Sequence, residues 1–282
     1  MSFSYCTMRL LLVLILAAGL SACNSLSSLL FYPHKSYYQQ PAELGLDAQW
    51  VRLSSDNETL FCWFIESKKK PRATILYLHG NGENISTHIN SIAWLADAGF
   101  RIFMLDYRGY GASTGDATLA SAFTDIKAAH TWLSTHDDLP LILLGQSMGG
   151  ALAITYAAMT KTESVSQRPF EAIVAESAPA SWPQIAREAM RSSWLTYLLQ
   201  IPASFIPSKY DPEDRVALLD PERLLIIHSI DDQIVPINHA RQLVRASGNQ
   251  ALLIETNGPH IGSFRDPRIR AHVENFITQR LP

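Results

Sequence analysis

Residues 141–154 place a serine between two glycines, where one apolar run stops and another begins. Ser147 lies two residues after Gly145 and two residues before Gly149. A Gly-x-Ser-x-Gly string between a strand and a helix is typical of a sharp turn that exposes a serine hydroxyl as a nucleophile. The glycines leave space for the strained backbone of that turn. The N–H of Met148, at the start of the helix, points toward any anion that forms beside the serine.

A serine hydroxyl becomes reactive when a nearby base accepts its proton and an acid orients that base. The sequence supplies both groups later, in loops that follow apolar runs: Asp231 and Asp232 after LLIIHS, and His260 after ALLIET. Spacing alone does not choose between the two aspartates. Glu176 and Asp106 also end apolar runs and are outside candidates for the acid, although such carboxylates are more often structural.

Of the nine histidines, His260 alone combines a position after a strand with a Gly-Pro turn. His79 precedes Gly80 at the end of another apolar run, so we expect it to shape a loop rather than act as a base. His228 ends the strand ahead of the aspartates and is interpreted as structural. The other six fall in the lead-in, in helices, or on or just after a predicted surface helix (His130 and His136): His34, His88, His130, His136, His239 and His272.

These groups require a sheet whose strands end side by side, and the rest of the chain predicts one. From residue 73 onward, short apolar runs alternate with segments whose apolar residues have helical spacing. Fully apolar strands connected by helices indicate a parallel sheet covered on both faces, and so an α/β fold. Two earlier runs, QWVRLSS and ETLFCWFIES, are predicted to form an antiparallel pair joined across Asp56 and Asn57.

Residues 181–220 interrupt the alternation with a long connection that carries Trp182, Trp194, Tyr197 and Phe205. This length exceeds that of an ordinary connection between elements of an α/β domain. We interpret the segment as a small helical lid over the site. The alternative is an excursion with a purely structural role.

The first residues are interpreted as a processing segment rather than as part of the fold. Arg9 precedes an apolar stretch, residues 10–18, that is too short to span a bilayer, for which about 20 residues are needed. Residues 20–23, LSAC, resemble the lipobox of bacterial lipoproteins, in which the signal is cut before the cysteine and the thiol is lipidated. An uncleaved helix, or a signal cut without lipidation, is the alternative.

That resemblance implies a mature chain tethered to a membrane through Cys23, in the envelope of a bacterial cell. Asn24 stands where an aspartate retains some lipoproteins at the inner membrane, so the outer membrane facing the periplasm is favoured. The start of translation, at Met1 or at Met8, stays open. The expected organisation is a signal peptide at 1–22, a lipidated N-terminus and linker at 23–47, and one domain at 48–282.

Composition argues against several other classes of function. Hydrophobic residues make up 47% of the chain and charged residues 17%, which supports a large buried core. A formal net charge of −3 without a long basic run does not fit a nucleic-acid partner. Cys6, Cys23 and Cys62 are too far apart for a metal-ligand pattern. The glycines between Gly109 and Gly115 have the wrong spacing for a dinucleotide loop, so no nicotinamide cofactor is expected.

Several motifs together resemble those of the α/β-hydrolase superfamily, from about Leu30 to Phe276. The similar segments are LYLHGNGEN, DYRGYGASTG, GQSMGG, HSIDDQIVP and GPH. The closer likeness is to the serine-hydrolase branch with monoglyceride-lipase-like, serine-aminopeptidase-like and depalmitoylase-like proteins. The resemblance implies an α/β-hydrolase fold, with a mostly parallel sheet, helices on both faces and a small helical lid. It also implies activity without a metal or organic cofactor.

The resemblance also implies residue roles. The loop after HG donates a backbone N–H to an oxyanion hole, which implies Asn81 together with Met148. The D-x-x-V-P pattern assigns the acid to Asp232 and leaves Asp231 as a flanking residue. Ser229 departs from the pattern, since relatives usually have glycine there, and is expected to affect the turn more than the chemistry.

The expected function is hydrolysis of small-molecule or lipid esters, or thioesters, of apolar acyl groups through a Ser-His-Asp triad and an acyl-enzyme. A serine-aminopeptidase-like peptidase and a non-catalytic envelope binding protein are the alternatives. Membrane contact is expected through the lipid anchor at Cys23.

Overall fold

The computed structural model describes residues 30–162, 167–191, 206 and 208–282. Three groups of interest from the sequence lie outside these ranges: the expected signal peptide, the lipidation residue Cys23, and the lid residues Trp194, Tyr197 and Phe205. Trp182, at the start of the expected lid, is described and begins a helix.

The elements follow the predicted alternation of strands and helices. The strands are β1 Tyr32–Pro33, β2 Ala48–Ser55, β3 Glu58–Ile65, β4 Ala73–Leu78, β5 Gly82–Glu83, β6 Phe100–Leu105, β7 Leu141–Gln146, β8 Phe170–Glu176, β9 Leu224–Ser229 and β10 Leu252–Thr256. The α-helices are α1 Ile85–Ile92, α2 Trp94–Asp97, α3 Leu119–His136, α4 Met148–Thr162, α5 Trp182–Arg191, α6 Asn238–Ala246 and α7 Pro267–Thr278. Short 3₁₀ helices add Pro41–Leu44, Ser208–Tyr210, Pro212–Asp214, Val216–Leu218, Pro221–Arg223 and Ser263–Arg265.

In the described residues, eight strands form one sheet in the order β10, β9, β8, β7, β4, β6, β3, β2. The strands from β10 to β6 are parallel to their neighbours, whereas β3 is antiparallel to both β6 and β2. The predicted α/β class and the antiparallel pair around Asp56 are confirmed. Because parallel strands end at the same edge, the loops after β4, β7, β8, β9 and β10 gather there.

Helices cover both faces of the sheet because its central strands are apolar on both sides. Every residue of β4 is buried. Successive strand residues face opposite sides: Ile75 and Tyr77 belong to the core under α1, α2 and α7, and Leu76 and Leu78 to the core under α3, α4 and α6. The sheet is therefore a rigid middle layer that fixes where its loops end.

The lead-in before β2 packs on the same edge of the domain. β1 pairs in parallel with β5, placing Tyr32 beside Gly82. The Phe31 side chain is buried, with its ring 6.4 Å from that of Tyr110. The hydroxyl of Tyr37 donates to Asp106 at 2.9 Å. These contacts bring the start of the described chain next to the loop that follows β4.

The described parts of residues 181–220 are joined to each other at the start of α5 and are held to the domain through the 3₁₀ helix Ser208–Tyr210. The Trp182 indole N–H donates to the carbonyl of Tyr210 at 2.9 Å, and its backbone N–H donates to Asp211 at 2.9 Å. The hydroxyl of Thr155 in α4 donates to the same Tyr210 carbonyl at 3.0 Å.

No helix within the described ranges has both the length and the apolar character that a bilayer crossing requires.

Candidate active site

The serine occupies the turn between β7 and α4. Ser147 has a φ of 55°, in the left-handed region that residues other than glycine rarely adopt. Its N–H donates to the Glu176 carbonyl at 2.8 Å, which helps to hold the strained backbone. A Cβ at Gly145 would collide with the Gly149 carbonyl, and a Cβ at Gly149 would collide with the carbonyl of Leu78. The two glycines are therefore required by close approach of backbone to backbone.

The imidazole of His260 lies between the serine hydroxyl and a carboxylate. Its Nε2 is 2.8 Å from Ser147 Oγ, and its Nδ1 is 2.7 Å from Asp232 Oδ2. The His260 side chain is 17% exposed, whereas the Asp232 carboxylate is fully buried. With a proton on Nδ1, the ring donates to Asp232 and keeps a lone pair on Nε2 that can accept the serine proton.

Asp232 is held as a carboxylate despite its burial. Burial by itself would raise its pKa, but the hydrogen bond and charge of His260, together with two backbone N–H groups, lower it to about 2. Those N–H groups belong to Ile234 and Val235, and both donate to Oδ1 at 2.9 Å. Three donors on one carboxylate keep it ionised and fix its orientation.

Asp231, the alternative acid, turns toward the backbone of the neighbouring loop instead. Its Oδ2 accepts from the Gly258 N–H at 3.2 Å and from the Asn257 side chain at 3.3 Å. The hydroxyl of Ser229 donates to the Gly258 carbonyl at 2.6 Å and accepts from the Asp231 N–H at 3.1 Å. These bonds tie the loop that carries Asp232 to the loop that carries His260. Ser229 thus contributes to that tie through both bonds of its hydroxyl.

The loop after β4 comes close to the serine. A Cβ at Gly80 would lie 3.5 Å from the Cβ of Ser147. His79 Nδ1 lies 2.7 Å from the Gly80 carbonyl oxygen, and as a donor it fixes that peptide. In a trans peptide the N–H points opposite to the C=O, so the Asn81 N–H is directed away from the His79 ring. The Met148 N–H lies in the first turn of α4, where backbone N–H groups have no acceptor within the helix.

Two tyrosines and the lead-in hold this loop in place. The Tyr110 hydroxyl donates to the Asn81 carbonyl at 2.7 Å, and the Tyr107 hydroxyl donates to the His79 carbonyl at 3.3 Å. The Tyr32 N–H donates to the Asn81 side-chain oxygen at 3.0 Å. Both tyrosines lie in the DYRGYG segment, but neither their hydrogen bonds nor the contact of Tyr32 was predicted from the sequence.

A buried polar network lies under the nucleophile. Gln146 accepts from the Tyr77 hydroxyl at 2.5 Å and from the Ser91 hydroxyl at 2.7 Å, and its amide N–H donates to Glu176 at 2.5 Å. The other oxygen of Glu176 accepts from the Ser263 N–H at 2.8 Å. Burial raises the pKa of Glu176, although the bonds from Gln146 and Ser263 work against that rise. Glu176 thus supports the residues around the site and is not bonded to the triad histidine.

Asp106, the other outside candidate, belongs to a separate buried cluster. Its oxygens accept from the Ile85 N–H at 3.0 Å and from the Tyr37 hydroxyl at 2.9 Å. The Nε2 atom of His79 lies 3.6 Å from Asp106 Oδ1, beyond hydrogen-bond distance. Burial raises the Asp106 pKa to about 7, although hydrogen bonds from Ile85 and Tyr37 oppose the rise.

Other histidines serve the fold. His228 Nε2 lies 2.7 Å from the Val235 carbonyl, and His239 Nε2 lies 2.9 Å from Glu188. His130, expected on a surface helix, is instead 1% exposed, because α3 turns that face against the sheet. Among the described residues, no group of three or more His, Cys, Asp or Glu side chains is arranged to hold a metal ion.

Comparison with known proteins gives a consistent result. The family model described as serine aminopeptidase, S33, matches residues 69–219. A protein of Escherichia coli (strain K12), YfhR, described as uncharacterized, is 32% identical over 253 residues, covering 86% of this chain and 84% of that protein. Mouse monoglyceride lipase is 30% identical over 115 residues, covering 39% of this chain and 38% of the lipase.

Solved structures show the same fold. An esterase of Pyrococcus furiosus, Pf2001, has a TM-score of 0.74 at 19% identity, covering 90% of this chain and 99% of the esterase. An alpha-beta hydrolase of Vibrio vulnificus has a TM-score of 0.65 at 16% identity, covering 84% of this chain and 82% of that chain. From its family match, its relatives and its fold, the chain belongs to the serine aminopeptidase S33 family of the α/β-hydrolase superfamily.

Proposed function

We propose that this protein hydrolyses carboxylic esters, or thioesters, of apolar acyl groups through an acyl-enzyme on Ser147. The observation that carries the proposal is the row of hydrogen bonds from Asp232 through His260 to Ser147, at 2.7 and 2.8 Å. The similarity to an esterase in fold and to a monoglyceride lipase in sequence supports ester chemistry.

The first half-reaction forms the acyl-enzyme. His260 Nε2 accepts the proton of Ser147 while Oγ attacks the acyl carbonyl carbon. The carbonyl oxygen becomes negative and accepts bonds from the Asn81 and Met148 N–H groups; one such donor is worth about 2.7–4 kcal/mol in other enzymes. Asp232 stabilises the imidazolium. His260 then gives its proton to the leaving oxygen or sulfur, whose bond to the acyl carbon breaks.

The second half-reaction frees the acyl group. His260 accepts a proton from water as the water oxygen attacks the acyl carbon. The same two N–H groups bind the negative oxygen. Ser147 leaves with the proton that His260 returns, which gives a carboxylic acid and restores the free enzyme. Apolar side chains in the expected lid, residues 181–220, favour an apolar acyl group.

A peptidase would use the same three side chains, and the description of the family model favours one. An aminopeptidase recognises a free amino group, for which a carboxylate at the mouth of the site is suited. In the described part of the expected lid, Glu188 is already bonded to His239 at 2.9 Å and to Gln184 at 3.0 Å. We therefore rank ester hydrolysis ahead of peptide hydrolysis. A non-catalytic binding protein ranks last, because it would have no need of the hydrogen-bonded triad.

Labelling with a fluorophosphonate tests whether Ser147 is a nucleophile. We expect one covalent adduct, located on Ser147 by peptide mass analysis, and none in the Ser147→Ala variant. Circular dichroism of both proteins controls for folding. A folded wild-type protein that takes up no label would support the binding-protein alternative and contradict the proposal.

A substrate panel then separates esterase from peptidase. Butyrate, octanoate and palmitate esters, the matching thioesters, and aminoacyl anilides are compared by kcat/KM. We expect esters or thioesters to exceed anilides, with a preference that rises with acyl length. Faster turnover of the anilides would favour the aminopeptidase alternative.

We propose further that the mature chain is tethered to the outer membrane through a lipid on Cys23, as the LSAC segment suggests. Tyr32, whose N–H is bonded to Asn81, follows Cys23 by nine positions. A fully extended chain covers at most about 3.3–3.6 Å per residue, so the reach is at most about 30 Å. Such an anchor keeps the loop beside the serine near the lipid surface and favours esters that reside there.

Mass analysis of the mature amino terminus tests the tether. We expect a lipidated cysteine from position 23 and loss of membrane association in the Cys23→Ala variant. A Cys23→Ala protein that fractionates with the membrane like the wild type, or an unmodified mature terminus, would contradict the anchor without affecting the proposed chemistry.

A further inference from the structure

A cavity of about 270 Å³ borders the triad histidine on the side of α1 and α7. It is formed by α1, by the loop that follows His260 and by the first turn of α7, and it is separate from α5 of the expected lid. Its walls include His88, Ser91, His260, Phe264, Arg265 and Arg270. Neither the triad nor the oxyanion loop accounts for a cavity at this place.

Positive charge exceeds negative charge in the walls of this cavity. Arg265 and Arg270 are the cations and Glu83 is the carboxylate. Burial lowers the pKa of His88, so its ring is neutral at pH 7. Among the described residues, the guanidinium of Arg265 has no carboxylate within ion-pair distance.

Arg270 is held in position rather than left to move in solvent. Its Nε donates to the Phe264 carbonyl at 2.5 Å, and its guanidinium lies 5.8 Å from the centre of the Trp94 ring. The bond from Nε uses one of the five N–H donors of Arg270, so the other four can donate to a bound group. Arginine in a fixed orientation suits carboxylate and phosphate oxygens.

The position beside His260 indicates which half of the substrate enters. His260 delivers its proton to the leaving group, so that group must lie against the imidazole ring. We propose that the cavity binds the alcohol portion of the ester and that this portion carries an anionic group, a carboxylate or a phosphate. The inference rests on the proposed ester hydrolysis and names its substrate class as an acyl ester of an anionic alcohol.

Two butyrate esters that differ in leaving-group charge test the inference. One is the ester of 4-hydroxybenzamide, which is neutral, and the other is the ester of 4-hydroxybenzoate, which is anionic. The readout is the ratio of their kcat/KM values, anionic over neutral. Because wild type and variants are compared on the same pair, the intrinsic reactivity of the two phenols cancels.

Arg265→Gln is the main variant and Arg268→Gln its matched control. Arg268 is the next arginine in the chain, is bonded to Asp266 at 2.7 Å and lies outside the cavity walls. We expect Arg265→Gln to lower the ratio about 3- to 5-fold, as suits an exposed charge. Arg268→Gln should leave it unchanged within about 2-fold. Arg270→Gln should lower the ratio further than Arg265→Gln does. If the Arg270→Gln protein does not fold, the test uses Arg265→Gln without it.

A third ester distinguishes the two halves of the substrate. A succinate monoester of 4-hydroxybenzamide carries its charge on the acyl side, and Arg265→Gln should leave its turnover unchanged. If Arg265→Gln slows this ester instead, or changes no ratio, the inference is overturned. The butyrate ester of 4-hydroxyphenylphosphonate shows whether a phosphonate on the leaving alcohol is preferred to a carboxylate.

Failure of the inference is distinguishable from failure of the proposed function. If the wild-type protein hydrolyses the neutral butyrate ester and the Arg265→Gln variant has an unaltered ratio, only the inference of an anionic alcohol is contradicted. If the wild-type protein hydrolyses none of the esters and takes no label on Ser147, both the inference and the proposed function are contradicted.

Discussion

Two aspartates at the same edge of the sheet differ in the histidine that each faces, Asp232 facing His260 and Asp106 facing His79, and only the first pair has the geometry for catalysis. Asp232 Oδ2 and His260 Nδ1 are 2.7 Å apart, whereas Asp106 Oδ1 and His79 Nε2 are 3.6 Å apart. His260 is 17% exposed and reaches the serine, while both side chains of the second pair are fully buried.

The pairs differ in the donors that surround each carboxylate. Burial raises the pKa of both aspartates, but His260 and two backbone N–H groups bring that of Asp232 down to about 2. Asp106 has one backbone N–H and one tyrosine hydroxyl, and its pKa is about 7. Both pairs have the same residue types, so residue type does not decide which pair can activate a serine. The number of hydrogen-bond donors to the carboxylate and the exposure of the histidine decide it.

The largest contrast is expected between the two histidines. His260→Ala removes the base, and we expect kcat/KM to fall by about 10⁴-fold or more, as for triad residues elsewhere. His79→Gln keeps an N–H donor for the Gly80 carbonyl and should cost less than about tenfold. Steady-state kinetics on one butyrate ester gives both values, and equal losses would show that the pairs are not functionally distinct.

The aspartates should differ nearly as much. Asp232→Asn still accepts from the Ile234 and Val235 N–H groups but disfavours the tautomer that can accept the serine proton, so we expect kcat to fall about 10⁴-fold. Asp106→Asn should change kcat by less than about tenfold, since Asp106 accepts bonds from Ile85 and Tyr37 and does not contact the triad. A loss in Asp106→Asn as large as that in Asp232→Asn would assign Asp106 to the reaction.

The same two aspartates should give opposite pH dependences of stability. Asp232, with its pKa lowered from 3.8 to about 2, stabilises the fold above pH 4, and that contribution is lost as pH falls toward 2. Asp106, with its pKa raised from 3.8 to about 7, is disfavoured when ionised, so stability falls as pH rises from 4 to 7. Each change is worth a few kcal/mol, since one pKa unit is about 1.4 kcal/mol.

Urea unfolding of wild type and both Asn variants between pH 2 and 8 measures these slopes. The advantage of wild type over Asp232→Asn should shrink below pH 4, and that over Asp106→Asn should shrink between pH 4 and 7. His79 faces Asp106 but stays neutral there, because burial lowers its pKa well below the ordinary value. A difference for Asp106→Asn that stays constant between pH 4 and 8 would show that this carboxyl is ionised in the folded protein over that range.

The smallest effect concerns the loop that His79 shapes. Tyr110→Phe removes the hydroxyl that donates to the Asn81 carbonyl at 2.7 Å. We expect kcat to fall about 2- to 10-fold with KM unchanged, as for loss of one hydrogen bond that positions an oxyanion donor. Tyr107→Phe, whose bond is 3.3 Å, should have a smaller effect. A change confined to KM would place Tyr110 in substrate binding instead.

The three side chains that the structure brings together could be picked out from the sequence because each lies in a short segment with a recognisable pattern. Gly145 and Gly149 mark a turn that crowds backbone against backbone, and Gly-Pro before His260 marks the loop that carries it. The choice of Asp232 over Asp231 came from the family resemblance, and spacing did not supply it. The structure shows its basis, since Asp231 is turned toward Gly258.

The supports of the site were not predictable, because they depend on contacts between distant parts of the chain. Tyr32 is 49 positions from Asn81, and a two-residue strand has no periodicity to detect. Gln146 and Glu176 each ended an apolar run, but only the folded sheet brings them side by side. Arg265 and Arg270 form no motif, and their shared cavity exists only after the 3₁₀ helix Ser263–Arg265 packs against α1 and α7.

The pairing of β1 with β5 joins the entry of the chain to the catalytic loop. A pull on the chain ahead of Phe31 loads β1 first, and Tyr32 passes that load to Asn81 through its N–H. A load applied ahead of Phe31 is therefore expected to reach the loop that carries Asn81. We expect a purification tag or a truncation placed there to shift that loop relative to Ser147, and so to lower the rate of the proposed hydrolysis.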